Sequence, residues 1–190
     1  MTDKQREIIQ AALDIVNREG YSKCTIRNVA ARVGVTEPAV YRHFKSKLEL
    51  LTVMLQELQA AILPSLTLPA GEGQTLEDCL GAFAGRLFAA LTERPEYGIF
   101  LFFEEAFHQE GDLKPTLLGM MERVQKQLSG SMAGLQTRGL CRTDLPPESL
   151  ALLLMGTLRL MVSKIHMGHP GSREELRDHY VKIFARVLSP

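Results

Sequence analysis

Residues 37–47 read EPAVYRHFKSK and crowd a phenol (Tyr41), a guanidinium (Arg42), an imidazole (His43) and two ammonium groups (Lys45, Lys47) into eleven positions. Such a crowd is either a solvated helix face that happens to be basic or a surface built to touch phosphate. The side-chain types suit the second use. A phenol or imidazole bonds a phosphate oxygen while its ring packs against sugar, and a guanidinium reaches either a phosphate or a guanine edge. Lys47 begins the apolar segment that follows, where the free N–H groups of a helix N-terminus favour the same anion.

Other chemistries find few groups. The sequence has no nucleophile elbow, no glycine-rich phosphate loop, no paired metal motif and no triad, so no enzyme and no cofactor are expected. Glu104 and His108 lie one helical turn apart beside Glu105 and could give two metal ligands, whereas a site normally needs three or more. His166 and His169 would have to complete it, and no metal is assigned. The three cysteines (Cys24, Cys79, Cys141) are far apart and in no ligand spacing. They read as small core residues in a reducing compartment, and the expected location is the cytoplasm.

The elements that must position these groups are helices. Ile8, Ile9, Ala12, Leu13 and Val16 recur at helical spacing after Thr2–Asp3, and Gly20 ends that run. Thr25 caps a short helix in which Ile26, Val29, Ala30 and Val33 face inward, and Gly34 breaks it. Thr36 caps the next, with Pro38 tolerated in its first turn. Ser46 with Glu49 forms a capping box that opens a long helix to about residue 63. After the loop PSLTLPAGEGQ, helices are expected from Thr75 to about Leu91, from Pro95, up to about Arg138, and from TDLPPES to about His166. Ser172 with Glu175 starts the last. The fold class is all-α, with about nine helices and essentially no sheet.

The totals agree with that reading. The 190 residues carry 45% hydrophobic side chains and zero net charge, ordinary for a globular chain. The longest apolar run, LALLLMGTLRLMV, is too short to span a bilayer and contains Arg159. The N-terminus mixes both signs of charge and lacks a signal-peptide core. Residues 1–50 hold nine Lys or Arg against six Asp or Glu, which places the mild positive excess at the end that bears the basic stretch.

Three helices within the first 45 residues, with a glycine turn between the second and third, describe a helix-turn-helix. The first helix with Ala30 and Ala31 would build a miniature core. Val40 and Phe44, four apart, would anchor the third helix and leave Tyr41, Arg42 and His43 along its edges. Its compact first turn, Glu37-Pro38-Ala39, could approach base edges in a major groove. The run TIRNVAARVGVTEPAVYRHFKSKLELL, preceded by a helix ending in Gly20-Tyr21, resembles the DNA-binding domain of the tetracycline-repressor (TetR) family. Tyr41, His43, Phe44 and Lys47 match that family's Tyr-x-His-Phe-x-x-Lys run. The resemblance covers about the first 50 residues. It implies that Thr25, Tyr41, His43 and Lys47 contact the DNA backbone, while Thr36, Glu37, Ala39 and Arg42 lie near bases, with Arg27 and Pro38 on the same surface.

The expected division is therefore a DNA-binding domain over 1–46 and a helical effector-binding and dimerisation domain over 47–190. Two DNA-binding units one DNA turn apart gain affinity and sequence length, so a homodimer on a pseudo-palindromic operator is expected. Leu150, Leu154, Leu158, Met161 and Ile165, with Leu176, Tyr180, Ile183, Phe184 and Val187, are candidates for its interface. The alternative is that both helices are core of a monomer; apolar residues on nearly every side of the helix at 150–165 favour the dimer. Phe83, Leu87, Phe100, Phe103, Glu104, Phe107, Met120, Met121, Met155 and Arg159 are candidates to line an effector pocket. Aromatic and methionine stripes are more often plain core. A guanidinium at Arg159, if buried, needs an anion, which is either Glu104 or Glu105 or a ligand carboxylate or phosphate. The leading expectation is a repressor released from its operator by an unknown small-molecule effector. The alternative is an architectural or cell-division DNA-binding protein of the same fold without an effector.

Overall fold

The computed structural model describes residues 1–69, 71–94, 96, 98, 111–168 and 172–190. Every regular element among them is helical, in accord with the all-α reading. Eight α-helices are seen: α1 (Asp3–Glu19), α2 (Ile26–Val33), α3 (Glu37–Tyr41), α4 (Lys47–Ile62), α5 (Leu76–Glu93), α6 (Lys114–Thr137), α7 (Pro147–His166) and α8 (Arg173–Leu188). The further helix expected from Pro95 falls largely outside the described residues. No described helix is long and apolar enough to cross a membrane.

Contacts divide the chain into two compact units, Met1–Ala61 with Pro95–Met120, and Ile62–Arg94 with Met121–Pro190. In the first unit, α1 starts at a capping box: Thr2 Oγ1 accepts from the Gln5 amide while the Gln5 side chain accepts from the Thr2 amide. Its apolar face buries Ile8, Ala12, Ile15 and Val16 against α2, which contributes Ile26, Val29 and Ala30. Ala31, expected in this miniature core, is exposed instead, because the 100° step from Ala30 carries it off the buried face. Gly34 ends α2 in the left-handed conformation (φ 74°, ψ 32°), which lets the Val35 amide bond the Ala30 carbonyl at 2.9 Å and turns the chain toward α3. Leu50, Leu51, Met54, Leu55 and Leu58 of α4 are all buried, and Gln59 of the same helix donates to the Met120 carbonyl at 2.9 Å.

The second unit is built on α5 and α8, with α8 also packed on α7. Leu80, Phe83, Ala84 and Leu87 of α5 are buried, as are Tyr180, Phe184 and Leu188 of α8. Capping boxes at Thr75/Asp78 and Ser172/Glu175 set the starts of these two helices. Amide side chains hold the connections: Gln127 Nε2 donates to the Leu63 carbonyl at 2.6 Å and to Thr67 Oγ1 at 2.8 Å. Gln136 Nε2 donates to the carbonyls of Arg142 and Leu145 at 2.8 and 2.9 Å. Arg142 grips Asp144 with two guanidinium nitrogens, and its amide donates to the Leu188 carbonyl at 2.8 Å. The Arg142 hydrogen bonds hold the Asp144 carboxyl below its ordinary range.

Candidate nucleic-acid interface

The basic stretch is displayed by an apolar anchor. Val40 and Phe44 are fully buried in the first unit, as their four-residue spacing requires. Pinning those two leaves Glu37, Pro38, Tyr41 and Arg42 exposed and Ala39 and His43 half-buried. Tyr41 keeps 47% of its surface in solvent, a high figure for a large aromatic side chain and one that leaves its phenol free to meet a partner. The helix stops at Tyr41, and the chain tightens into a turn in which the His43 and Phe44 amides both bond the Val40 carbonyl. The Gln5 side chain donates to the His43 carbonyl at 3.4 Å and ties that turn to the start of α1.

The two threonines differ in what they have left to give. Thr36 holds the N-cap position of α3 in extended backbone, yet its hydroxyl makes no bond to the helix. Thr25 caps α2 by accepting from the Asn28 amide at 3.1 Å; its own O–H is not used by that bond. Both are exposed, as is Arg27 in the first turn of α2. Thr25, Arg27, Thr36, Glu37, Pro38, Tyr41 and Arg42 therefore lie on the solvent side of the helix-turn-helix, with its apolar side closed by Val29, Ala30, Val40 and Phe44. Contacts among α1, α2 and α3 bring these residues into one fold unit.

Lys47 opens α4 and is half-buried. Ser46 caps that helix, its Oγ accepting from the Glu49 amide at 3.0 Å, while the Glu49 carboxylate accepts from the Lys45 amide. The reciprocal box expected from S-x-x-E thus reaches one residue further back than the N-cap. Lys47 Nζ donates to the Tyr21 phenol oxygen at 3.3 Å and stands 4.8 Å from the centre of the Tyr21 ring. Burial pushes the nearby Cys24 thiol up to about 11, an effect that the Lys47 charge opposes in part. A thiol in that state is a neutral core group and not a nucleophile.

The other candidates are scattered more widely. Of the pocket residues, Phe83 and Leu87 are buried in the second unit, Met155 and Arg159 are half-buried on α7, and Met121 is 38% exposed. Met120 is buried in the first unit. Phe100, Phe103, Glu104 and Phe107 lie outside the described residues, as do Glu105, His108 and His169. Arg159 is half-buried on α7, and its two expected carboxylate partners, Glu104 and Glu105, lie outside the described residues.

The interface candidates separate into two groups. Leu150, Leu154, Leu158, Met161, Tyr180 and Phe184 are buried within the single chain, Ile165 and Leu176 are half-buried, and Ile183 and Val187 are exposed. Leu152 and Leu160, which the sequence reading did not single out, are 61% and 57% exposed. With Leu153 and Gly156 they fall on one side of α7 at helical spacing. No signal in the sequence could separate this face from the buried one, since both are leucine-rich.

Residues 8–54 match the model of the family described as bacterial regulatory proteins, tetR family. The tetracycline repressor protein class A from transposon 1721 of Escherichia coli is 42% identical over 53 residues, 28% of this chain and 24% of the relative. The nucleoid occlusion factor SlmA of Vibrio campbellii is 28% identical over 130 residues, covering 67% of this chain and 65% of the relative. The matches thus span between about a quarter and two thirds of these curated relatives' length. In fold, the chain is similar to the transcriptional regulator FadR from Bacillus subtilis solved in complex with stearoyl-CoA. That match has a TM-score of 0.78 and 17% identity, over 95% of this chain and 97% of that one. The likeness to the tetR family of bacterial regulatory proteins is thus carried by residues 8–54, the segment that holds the helix-turn-helix.

Proposed function

We propose that the protein is a homodimeric transcriptional repressor that binds a pseudo-palindromic DNA operator and is released from it by a small-molecule effector. One observation carries the DNA-binding part. Val40 and Phe44 are sunk in the core and thereby turn Thr36, Glu37, Tyr41 and Arg42 outward on the face that follows a glycine turn. In this reading residues 1–46 are the DNA-binding domain. Thr25, Arg27, Tyr41, His43 and Lys47 position it on phosphates, while Thr36, Glu37, Pro38, Ala39 and Arg42 face bases.

Residues 47–190 then dimerise and sense the effector. The exposed apolar sides of α7 (Leu152, Leu153, Leu160) and α8 (Ile183, Val187) support a pairing surface, and two helices from each copy would form a four-helix interface. The interface moves from the buried Leu150, Leu154 and Leu158 to this neighbouring face. The likeness to a FadR structure that holds stearoyl-CoA supports an effector bound in this helical domain. An effector that prefers one separation of the two recognition helices draws the dimer toward it, and fixed half-site spacing then favours release. The site of action is the cytoplasm.

A second reading keeps DNA binding and drops the effector: an architectural or cell-division protein. It is favoured by the 130-residue match to a nucleoid occlusion factor. Selection of bound duplexes from a random pool, followed by a screen of small molecules against the recovered complex, separates the two. The repressor reading expects a short two-fold symmetric site and a ligand that dissociates the complex. A symmetric site that no ligand releases favours the second reading, and recovery of no preferred site overturns the first.

A further inference from the structure

The pair formed by Lys47 and Tyr21 is not explained by stability alone. Lys47 occupies the first turn of α4, where the helix dipole disfavours a cation. Its side chain is also long, and an unrestrained lysine gives up much rotamer freedom when it is fixed on a phosphate. Tyr21 supplies two restraints at once. Its phenol oxygen accepts from Nζ at 3.3 Å, and its ring face lies 4.8 Å from the same nitrogen. Tyr21 is itself held: it begins the short 3-10 turn Tyr21–Lys23 between α1 and α2, and its carbonyl accepts from the Cys24 amide at 2.9 Å. The ammonium carries three N–H donors, and the phenol takes one of them.

We propose that Tyr21 is a positioning residue for DNA, holding the Lys47 ammonium localised at the edge of the recognition surface before a backbone phosphate arrives. This rests on the DNA-binding reading above. Tyr21 does not itself read sequence; it acts through Lys47 by lowering the ordering cost of a phosphate contact. Its effect therefore falls equally on all duplexes and vanishes when Lys47 is removed.

The test is a double-mutant cycle on the full chain: wild type, Tyr21→Phe, Tyr21→Leu, Lys47→Ala and each Tyr21 change combined with Lys47→Ala. Binding to a selected operator and to a random duplex is titrated from roughly 50 to 200 mM salt, the range over which phosphate contacts show their slope. Tyr21→Leu is expected to weaken both duplexes by about two- to fivefold, the scale of an exposed cation–π contact. Tyr21→Phe, which keeps the ring, should lose less. Neither change should matter in the Lys47→Ala background. Equal losses with and without Lys47 would show a purely structural role and overturn the proposal, as would no loss in either single variant. Should Tyr21→Leu fail to fold, the Tyr21→Phe cycle decides on the same criterion. If wild type binds no duplex with a salt-dependent affinity, the DNA-binding reading itself falls and takes this inference with it; an additive cycle on a wild type that binds well overturns the inference alone.

Discussion

In the proposed function, Arg42 is the side chain on which sequence readout turns. It is exposed at the C-cap of α3, with Val40 and Phe44 on either side of it buried. Arg42→Ala should weaken operator binding by about 1–3 kcal/mol if the guanidinium bonds a base edge, with little effect on random DNA; equal losses on both would make it a phosphate contact. At the same scale, Cys24 makes stability depend on alkaline pH. Its thiol is pushed up to about 11 by burial from an ordinary value near 9. Below pH 9 both the folded and unfolded chains keep the proton. Between 9 and 11 only the folded chain does, so stability is full below that window and falls as pH rises through it. The loss should be on the order of 2 kcal/mol. Urea midpoints of wild type should therefore drop more steeply than those of Cys24→Ala between pH 9 and 11, and parallel curves would contradict this. That the Tyr41–Lys47 run is arranged around a buried Phe44 was legible, because type and spacing agree there. The Tyr21–Lys47 pair was not, because residues 26 positions apart meet only through the fold of α1, α2 and α4.

Helix starts were the most legible elements. Thr2, Thr25, Thr75 and Ser172 each accept from the amide three residues on, as their positions before apolar runs suggest. The anchor of α3 was legible for the same reason: a four-residue spacing in an otherwise polar stretch leaves one solution for which side goes in. Phe44 fills that anchor with almost no exposure. Phe44→Ala should cost about 3–5 kcal/mol of folding stability. Differential denaturation of the purified variant would show it, and a shift of under about 1 kcal/mol, the scale of a surface change, would mean that α3 is held by something else. In α7 the sequence had less to say. Leucine occupies positions 150, 152, 153, 154, 158 and 160, so the hydrophobic period that distinguishes an inner from an outer face is flat. Packing within the single chain separates the buried Leu150, Leu154 and Leu158 from the exposed Leu152, Leu153 and Leu160.

For the molecule as a whole, the account needs two copies. An exposed glutamate costs little on a single chain, whereas the same carboxylate buried unpaired at an interface costs several kcal/mol. Leu160→Glu should therefore leave helicity and unfolding of the chain intact while converting a dimer to a monomer at micromolar concentration. Light-scattering mass checks this, and an unchanged dimer would place the pairing surface elsewhere. In the proposed function the operator contacts lie in the first 50 residues, and a single such unit reads only a few base pairs. The proposed function stands on sequence-specific DNA binding by two copies of the chain. The most direct measurement is fluorescence anisotropy of a selected duplex against a shuffled duplex of the same composition, with the stoichiometry determined in the same titration. The account predicts two chains per duplex and an affinity for the selected site tighter by about 10³-fold or more at physiological salt. Equal affinity for the two duplexes would contradict it.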